Sequence, residues 1–172
     1  MLATAIALPG PAAVRYPRGA GLGVALTDSF EKLPVGKAEV LQEKGEIAFL
    51  AVGTMVEHAK AAAAILAEEG IEAAVVNMRF IKPLDTALID AMAKTKKLII
   101  TAEENVLAGG FGSAVAEYLA DSGQQVPLVR FGIPDRFIEQ GTRKELLSLC
   151  GLQPEQMAER VRERLSQLAP EA

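Results

Sequence analysis

Cysteine, histidine and tryptophan are scarce in this chain of 172 residues, which has one cysteine, one histidine and no tryptophan. The single cysteine, Cys150, excludes an internal disulfide framework and a cysteine-ligated zinc site. His58, the single histidine, has no serine or cysteine placed as its partner, so the sequence does not support hydrolysis by a nucleophile and a base. Low cysteine usage of this kind points to the cytoplasm.

Long apolar runs and an excess of positive charge are also missing. No run approaches the roughly 18 residues of a membrane helix, and the start, MLATAIALPG, lacks the basic region of a secretory signal. The formal net charge of −4 argues against a nucleic acid or an acidic membrane as partner. The basic cluster Lys94–Lys97 is interpreted as a solvated helix end.

What is present is an alternation of short apolar runs with helical patterns. Four runs rich in valine and isoleucine predict buried strands over 47–52, 73–78, 98–101 and 128–131. Helical patterns cover 55–69, 85–93, 112–120, 143–149 and 154–168. This order predicts an α/β fold with a mostly parallel sheet. Residues 35–41 resemble an additional, antiparallel edge strand.

The first part of the chain has a different character. Leu2–Leu8 is predicted to be a short helix and Ala12–Tyr16 a strand, and the segment that follows is rich in glycine with little periodicity. A lone helix and strand cannot bury themselves. We therefore expect 1–19 to be the end of a preceding domain, 20–36 a linker, and 37–172 the α/β domain.

The polar loops of the domain follow the strands, at the edge of the sheet where parallel strands end and ligands gather. They contain Glu103, Glu104, Asn105 and Asp135, which are the candidates for an interface or the rim of an active site. Because adjacent residues on a strand point to opposite faces, the two glutamates are not expected to act as an acid/base pair. At least one of them is expected to form an ion pair or to cap the following helix.

The glycine-rich stretch EENVLAGGFGS has some likeness to a phosphate-binding loop. It lacks the GxGxxG and GK[ST] patterns, and its two glutamates would repel a phosphate. A tight turn with close helix-to-sheet packing is the favoured interpretation, and contact with a ligand is the alternative. Asp85 is predicted to cap a helix, and His58 and Cys150 are expected to be structural.

Two arginines near the start, Arg15 and Arg18, flank a Tyr-Pro pair. The planar guanidinium group suits phosphate or carboxylate, and strand ends face binding clefts. From the residues alone, ligand binding and a salt bridge between domains remain open for both.

Six blocks occur in an order that resembles a known family: GPAAVRYPRG, KLPVGKAEVL, FLAVGTMVEHA, VVNMRFIKPLD, ITAEENVLAGGFGSAVAEYL and GIPDRFIEQGTRKELLSLCGL. From Gly10 to about Val161 the chain is similar to the C-terminal part of the 1-deoxy-D-xylulose-5-phosphate synthases, thiamine-diphosphate enzymes of the transketolase class. The resemblance implies a three-layer αβα sandwich like the transketolase C-terminal domain, with about five strands and one antiparallel edge strand.

The resemblance also implies an activity for a complete enzyme. The family joins pyruvate to glyceraldehyde 3-phosphate with loss of carbon dioxide, for isoprenoid, thiamine and pyridoxal precursor synthesis, and works as a homodimer with thiamine diphosphate and Mg²⁺. No GDG motif for the diphosphate is present in the sequence, so this segment alone is expected to be inactive and to bind no cofactor. Its partners would be the N-terminal and middle domains of the same enzyme.

One functional residue carries over from the family. Arg18, the second arginine of RYPRG, matches the arginine that holds the substrate phosphate, whereas Arg15 is expected to be structural. The remainder of the segment would be structural. Two alternatives stay open: a stand-alone docking or dimerisation module, and a fragment of a 2-oxoacid dehydrogenase β-subunit.

Overall fold

The computed structural model describes residues 1–17, 19, 21, 23 and 29–168. Its strands are β1 (Glu39–Gln42), β2 (Ile47–Ala51), β3 (Ala73–Asn77), β4 (Leu98–Val106) and β5 (Leu128–Ile133). Its helices are α1 (Leu2–Ile6), α2 (Met55–Glu68), α3 (Thr86–Thr95), α4 (Phe111–Asp121), α5 (Arg143–Leu149) and α6 (Pro154–Leu168). None of the helices in the described part of the chain combines the length and apolar character of a membrane span.

The five strands form one mixed sheet in the order β1-β3-β2-β4-β5. The four strands β2 to β5 run parallel, and β1 pairs with β3 in the antiparallel direction. In the centre, Phe49 lies between Val75 and Ile100. Strands buried on both faces have continuous apolar sequences, which is why the short runs predicted them correctly. The predicted parallel sheet and its antiparallel edge strand are confirmed.

Helices cover both faces of the sheet and create two separate cores. On one face, α2, α5 and α6 pack with side chains such as Phe49, Leu66 and Val161. On the other face, α3 and α4 pack with Leu50, Ile89 and Phe111 among others. The structure is therefore the predicted αβα sandwich.

Strand β4 is longer than the sequence predicted. The apolar run ends near Thr101, but the strand continues to Val106, which pairs with Ile133 of β5 after an irregularity in the register. The polar residues 103–105 lie within this irregularity, between the paired positions Ala102 and Val106. Consequently Glu103, Glu104 and Asn105 lie on a strand rather than in a loop.

The N-terminal segment contains a helix, as predicted, but its predicted strand is not formed. Residues 11–17, which include the expected strand Ala12–Tyr16, belong to no helix or strand. An extended segment is not stable as a strand unless a neighbouring strand forms backbone hydrogen bonds with it. Helix α1 is held by Thr4, whose Oγ1 accepts a hydrogen bond from the Leu33 N–H at 2.8 Å. The boundaries at residues 19 and 36 stay predictions, and Arg18 lies outside the described residues.

Candidate functional site: the edge where the parallel strands end

The carboxylate of Glu103 caps helix α4. It is almost completely buried, and its two oxygens accept hydrogen bonds from the backbone N–H groups of Phe111 at 2.7 Å and Gly112 at 2.8 Å. These N–H groups are unpaired within the helix, and the helix dipole favours a negative charge beside them. The glutamate therefore fills the position that an external anion would take.

The glycines of the GGFGS turn make room for this carboxylate. A Cβ on Gly110 would collide with the Val106 carbonyl oxygen and with the Glu103 carboxylate. A Cβ on Gly112 would lie 2.6 Å from the Thr101 Oγ1 and 3.2 Å from the Arg130 Cδ. The glycines thus serve close helix-to-sheet packing, in agreement with the favoured interpretation of this turn.

Glu104 points to the other face of the sheet and joins a different cluster. Its carboxylate accepts a hydrogen bond from the Thr54 Oγ1 at 2.5 Å, and Arg143 donates to both oxygens, from Nε at 2.9 Å and from Nη2 at 2.5 Å. Thr54 is the residue just before α2, its N-cap, and Arg143 is the first residue of α5. One carboxylate therefore connects β4 to the first turns of two helices. We call Thr54, Glu104 and Arg143 the Glu104 cluster.

The cluster keeps Glu104 ionised. Burial of the carboxyl alone would raise its pKa, but the hydrogen bonds from Arg143 and Thr54 outweigh burial. The charges of Arg143 and of the imidazolium form of His58 act in the same direction, so the pKa of Glu104 lies below its usual value. A general base needs a free lone pair directed at a substrate. Glu103 and Glu104 instead direct their oxygens at groups of the protein.

Arg143 is held in place by the way α5 begins. The Thr142 Oγ1 accepts the Glu145 N–H at 3.4 Å, and the Glu145 carboxylate accepts the Thr142 N–H at 2.9 Å, which is a capping box. Hydrogen bonds from the Thr142 side chain and backbone lower the pKa of Glu145. Sequence reasoning did not connect Arg143 to Glu104. The TRKE pattern of the capping box was the available signal, since it fixes the start of the helix.

Asn105 connects the N-terminal segment to the end of β4. The Arg15 Nη1 donates a hydrogen bond to the Asn105 Oδ1 at 2.8 Å. Tyr16, next along the chain, is exposed. The first arginine of the RYPRG block thus lies beside the edge where the strands end.

The loop after β5 contains Asp135, which is exposed and has neither a hydrogen bond nor an ion pair within the described residues. It lies apart from the contacts made by Glu103 and Glu104. Phe137 in the same loop is fully exposed, although phenylalanine is an apolar residue. This loop offers an aromatic side chain for contact with another surface.

The corner after β3 is a structural junction. Asp85 caps α3 by accepting the Leu88 N–H, as predicted, and also accepts the Ala38 N–H at 3.0 Å. Burial alone would raise the pKa of Asp85, but the N–H of Ala38, the ammonium of Lys37 and the N–H of Leu88 lower it overall. These bonds tie the chain before β1 to α3.

The residues expected to be structural have structural contacts. The His58 Nδ1 donates to the Leu152 carbonyl oxygen at 2.9 Å, which links α2 to the chain before α6. Cys150 ends α5 and packs against the core beside α2 and α6.

The described residues do not provide a site for a metal diphosphate. No group of three or more histidines, cysteines, aspartates or glutamates within them is arranged to hold a metal ion. The amides at the start of α4, the obvious place for a phosphate, already bind Glu103. The described residues of this edge therefore do not fit thiamine diphosphate with Mg²⁺.

Comparison with known proteins places this arrangement in a family. The model of the transketolase C-terminal domain matches residues 36–157. The 1-deoxy-D-xylulose-5-phosphate synthase of Pelotomaculum thermopropionicum is 53% identical over 168 residues, which are 97% of this chain and 26% of that enzyme. The synthase of a Synechococcus species is 53% identical over 154 residues, 89% of this chain and 24% of the enzyme. The chain spans about a quarter of the length of these curated relatives.

Solved structures agree on the fold. A split-gene transketolase, described as an inactive β4 tetramer, superposes with a TM-score of 0.71 at 35% identity, over 79% of this chain and 43% of the other. A transketolase of Pichia stipitis gives a TM-score of 0.56 at 21% identity, over 79% of this chain and 19% of the other, which shows the fold alone. The chain therefore belongs to the transketolase C-terminal domain family, and within it corresponds to the C-terminal part of the 1-deoxy-D-xylulose-5-phosphate synthases.

Proposed function

We propose that this chain serves as the C-terminal domain of a 1-deoxy-D-xylulose-5-phosphate synthase, which joins pyruvate to glyceraldehyde 3-phosphate and releases carbon dioxide. The observation that supports this most is the extent of the match. Identity with the synthases covers 168 residues, whereas the domain model covers residues 36–157, so the similarity includes sequence ahead of the domain. The product would supply isoprenoid, thiamine and pyridoxal synthesis in the cytoplasm.

The domain's own contribution would be structural, with one exception. Arg18 would hold the phosphate of glyceraldehyde 3-phosphate through charge-assisted hydrogen bonds. The contact between Arg15 and Asn105 supports this role, because it ties the first residue of the RYPRG segment to the edge where the strands end. Glu103, Glu104 and Asn105 would support that edge, and Asp135 with the exposed Phe137 would face a neighbouring domain.

A chimera tests the proposal. The segment of the Pelotomaculum thermopropionicum synthase that matches this chain is replaced by residues 1–172, and the condensation of pyruvate with glyceraldehyde 3-phosphate is measured. We expect activity, and we expect Arg18→Ala to lower kcat/KM for glyceraldehyde 3-phosphate by about ten- to a hundred-fold. Decarboxylation of pyruvate alone should change little, because pyruvate carries no phosphate.

Two variants serve as controls in the chimera. Arg18→Lys should restore part of the loss, since lysine keeps the charge without the planar fork. Arg15→Ala should lower thermal stability without a defect specific to the phosphorylated substrate. Unchanged kcat and KM in Arg18→Ala would refute the phosphate role, and an inactive but folded chimera would favour a stand-alone docking module.

The cofactor would belong to the other domains of the complete enzyme. We expect the chain alone to form no product and to bind thiamine diphosphate and Mg²⁺ no better than weakly. Calorimetric titration measures this, and a micromolar dissociation constant would contradict it.

Self-association is part of the same proposal. Several large apolar side chains are exposed near the N-terminus, among them Leu2, Ile6 and Tyr16. Apolar surface of this kind marks contact with other domains or with a second subunit. Sedimentation should show association of the chain at high concentration, and a clean monomer would count against the homodimer.

A further inference from the structure

A groove of about 370 Å³ lies along β5, between that strand, helix α6 and the turn after β4. Strand β5 is the last of the sheet, so one of its edges has no neighbouring strand in the described part of the chain. The groove is lined by residues of β5, of α6 and of the turn after β4: Leu107, Leu128, Val129, Arg130, Arg160, Glu163, Arg164 and Gln167.

Arginines lie on both sides of this open edge. Arg130 lies on the α4 side, where its Nη1 donates to the Ser113 Oγ at 2.9 Å. On the opposite side, the guanidinium of Arg160 lies 5.2 Å from the centre of the Phe131 ring, and Arg164 follows one turn later on α6. The outer edge of β5 therefore lies between the guanidinium group of Arg130 on the α4 side and those of Arg160 and Arg164 on the α6 side.

Within the described part of the chain, these charges have no ionic partner. Among the described residues, none of the three arginines forms an ion pair. One carboxylate, Glu163, lines the groove with them, so the lining is net positive. Arg162, on the same helix, does have a partner, since it contacts Glu69 at 2.8 Å.

The other end of the sheet is built differently. Strand β1 has four residues and an irregular register between Val40 and Gln42. Short, irregular edge strands resist pairing with another chain. Strand β5 is longer, with six residues; its pairing with β4 is also irregular between Ala102 and Val106, but its outer edge is flanked by positive charge. Positive charge at an edge discourages neutral or basic strands and favours acidic ones.

We propose that this groove binds an extended, acidic polypeptide segment, which adds to β5 as a sixth strand. Backbone hydrogen bonds to β5 would supply affinity. Successive side chains of a strand point to opposite faces, so acidic residues on both faces would meet Arg130 on one side and Arg160 with Arg164 on the other. An extended strand laid along β5 would meet guanidinium groups on both of its faces at once, which is why the two-sided arrangement favours a strand.

The test uses the 172-residue chain and a fluorescent eight-residue peptide of threonine and glutamate, with two glutamates on each face. We expect saturable binding that weakens as salt is raised. A peptide with lysine in place of glutamate should not bind. A glutamate peptide N-methylated at alternate residues, which keeps its charge but loses hydrogen-bond donors, should bind at least tenfold more weakly.

Matched variants locate the site. The pair Arg160→Glu and Arg164→Glu should weaken binding by about ten- to a hundred-fold. Arg162→Glu, which changes the charge of the same helix by half as much, should have little effect. Circular dichroism shows whether each variant is folded, and Arg160→Gln is the milder substitute should the pair unfold the chain.

Three results would overturn the proposal. Equal binding of the methylated and unmethylated peptides would mean attraction by charge without strand addition. Equal losses in Arg162→Glu and in the double variant would mean that the groove is not the site. Binding of inorganic pyrophosphate through Arg160 and Arg164, without binding of the peptide, would identify a site for small anions instead.

Discussion

Glu103 and Gly112 are in direct contact across the junction of β4 and α4. The Gly112 N–H donates to the Glu103 Oε1 at 2.8 Å, and a Cβ on Gly112 would lie 3.3 Å from the same oxygen. The glutamate and the glycine therefore depend on each other. The Glu103 carboxylate accepts a hydrogen bond from the buried Gly112 N–H. The absence of a side chain on Gly112 lets α4 approach β4 closely enough for that bond.

Removal of the Glu103 carboxylate should destabilise the domain strongly. Glu103→Ala leaves two buried N–H groups without a partner, each at a cost of roughly 1 to 3 kcal/mol. Glu103→Gln keeps one acceptor oxygen and should lose about half as much. Urea unfolding followed by circular dichroism measures both. Glu117→Gln, on the exposed side of the same helix, is the control and should be close to neutral. Equal stability of Glu103→Ala and the unmodified chain would disprove the capping role.

Addition of a single methyl group at Gly112 should also destabilise the fold. In Gly112→Ala the new Cβ would lie 2.6 Å from the Thr101 Oγ1, so either the helix or the strand must shift, at a cost of about 1 to 3 kcal/mol. Gly10→Ala is the matched control, because a Cβ there has no atom within 4 Å. The difference in melting temperature between the two variants decides the question, and similar melting temperatures would contradict the close packing.

Thr101→Val should stabilise the domain. The Thr101 Oγ1 is completely buried and is without a hydrogen-bond partner among the described residues. Valine has nearly the same shape and removes the unpaired hydroxyl, for a gain of about 1 kcal/mol. Thr95→Val is the comparison, since the exposed Thr95 hydroxyl donates to the Ala91 carbonyl oxygen and its loss should bring no gain. A less stable Thr101→Val variant would indicate that the hydroxyl has a partner, such as a buried water.

The Glu104 cluster should make stability depend on pH in the acidic range. The pKa of Glu104 is lower in the folded protein than in the unfolded chain, so its ionised form favours folding. This contribution is complete above the unfolded pKa of about 4.3 and disappears as the pH falls through the folded pKa. Unfolding free energies of the unmodified chain and of Glu104→Gln should therefore differ more at pH 7 than at pH 3.

The partner of Glu104 provides the control for that experiment. In an Arg143→Gln background the effect of Glu104→Gln at pH 7 should shrink, with a coupling energy of about 0.5 to 1 kcal/mol for this partly exposed pair. A pH dependence that is the same in both backgrounds would mean that Arg143 is not responsible for it.

The apolar runs were enough to predict the sheet, because β2 and β3 are buried on both faces and carry few polar residues. They were not enough to predict where β4 ends. Its last residues are mostly polar, and the strand continues past them to Val106, which pairs with Ile133 of β5; a local pattern does not contain this pairing. The strand predicted at Ala12–Tyr16 is not formed, because no strand in the described part of the chain pairs with it, and its place in a preceding domain stays a prediction.

The site was predictable to a similar degree. The opposite directions of Glu103 and Glu104 follow from strand alternation, and both expected roles occur, one as a helix cap and one as an ion pair. The partner of Glu104 was not predictable, because Arg143 is 39 positions away and reaches it through the packing of α5. Arg18 is the residue with the strongest functional expectation, and the kinetic comparison in the chimera tests its role in binding the substrate phosphate.

The cap on α4 also has a consequence for how the domain responds to its surroundings. An anion held by a helix as a separate molecule has a dissociation constant, so dilution, dialysis or competition can remove it. The anion of α4 is part of the same polypeptide and is present whenever the chain is folded. The anion site at the start of α4 is therefore filled at every phosphate concentration. The helix cannot act as a sensor of phosphate in solution.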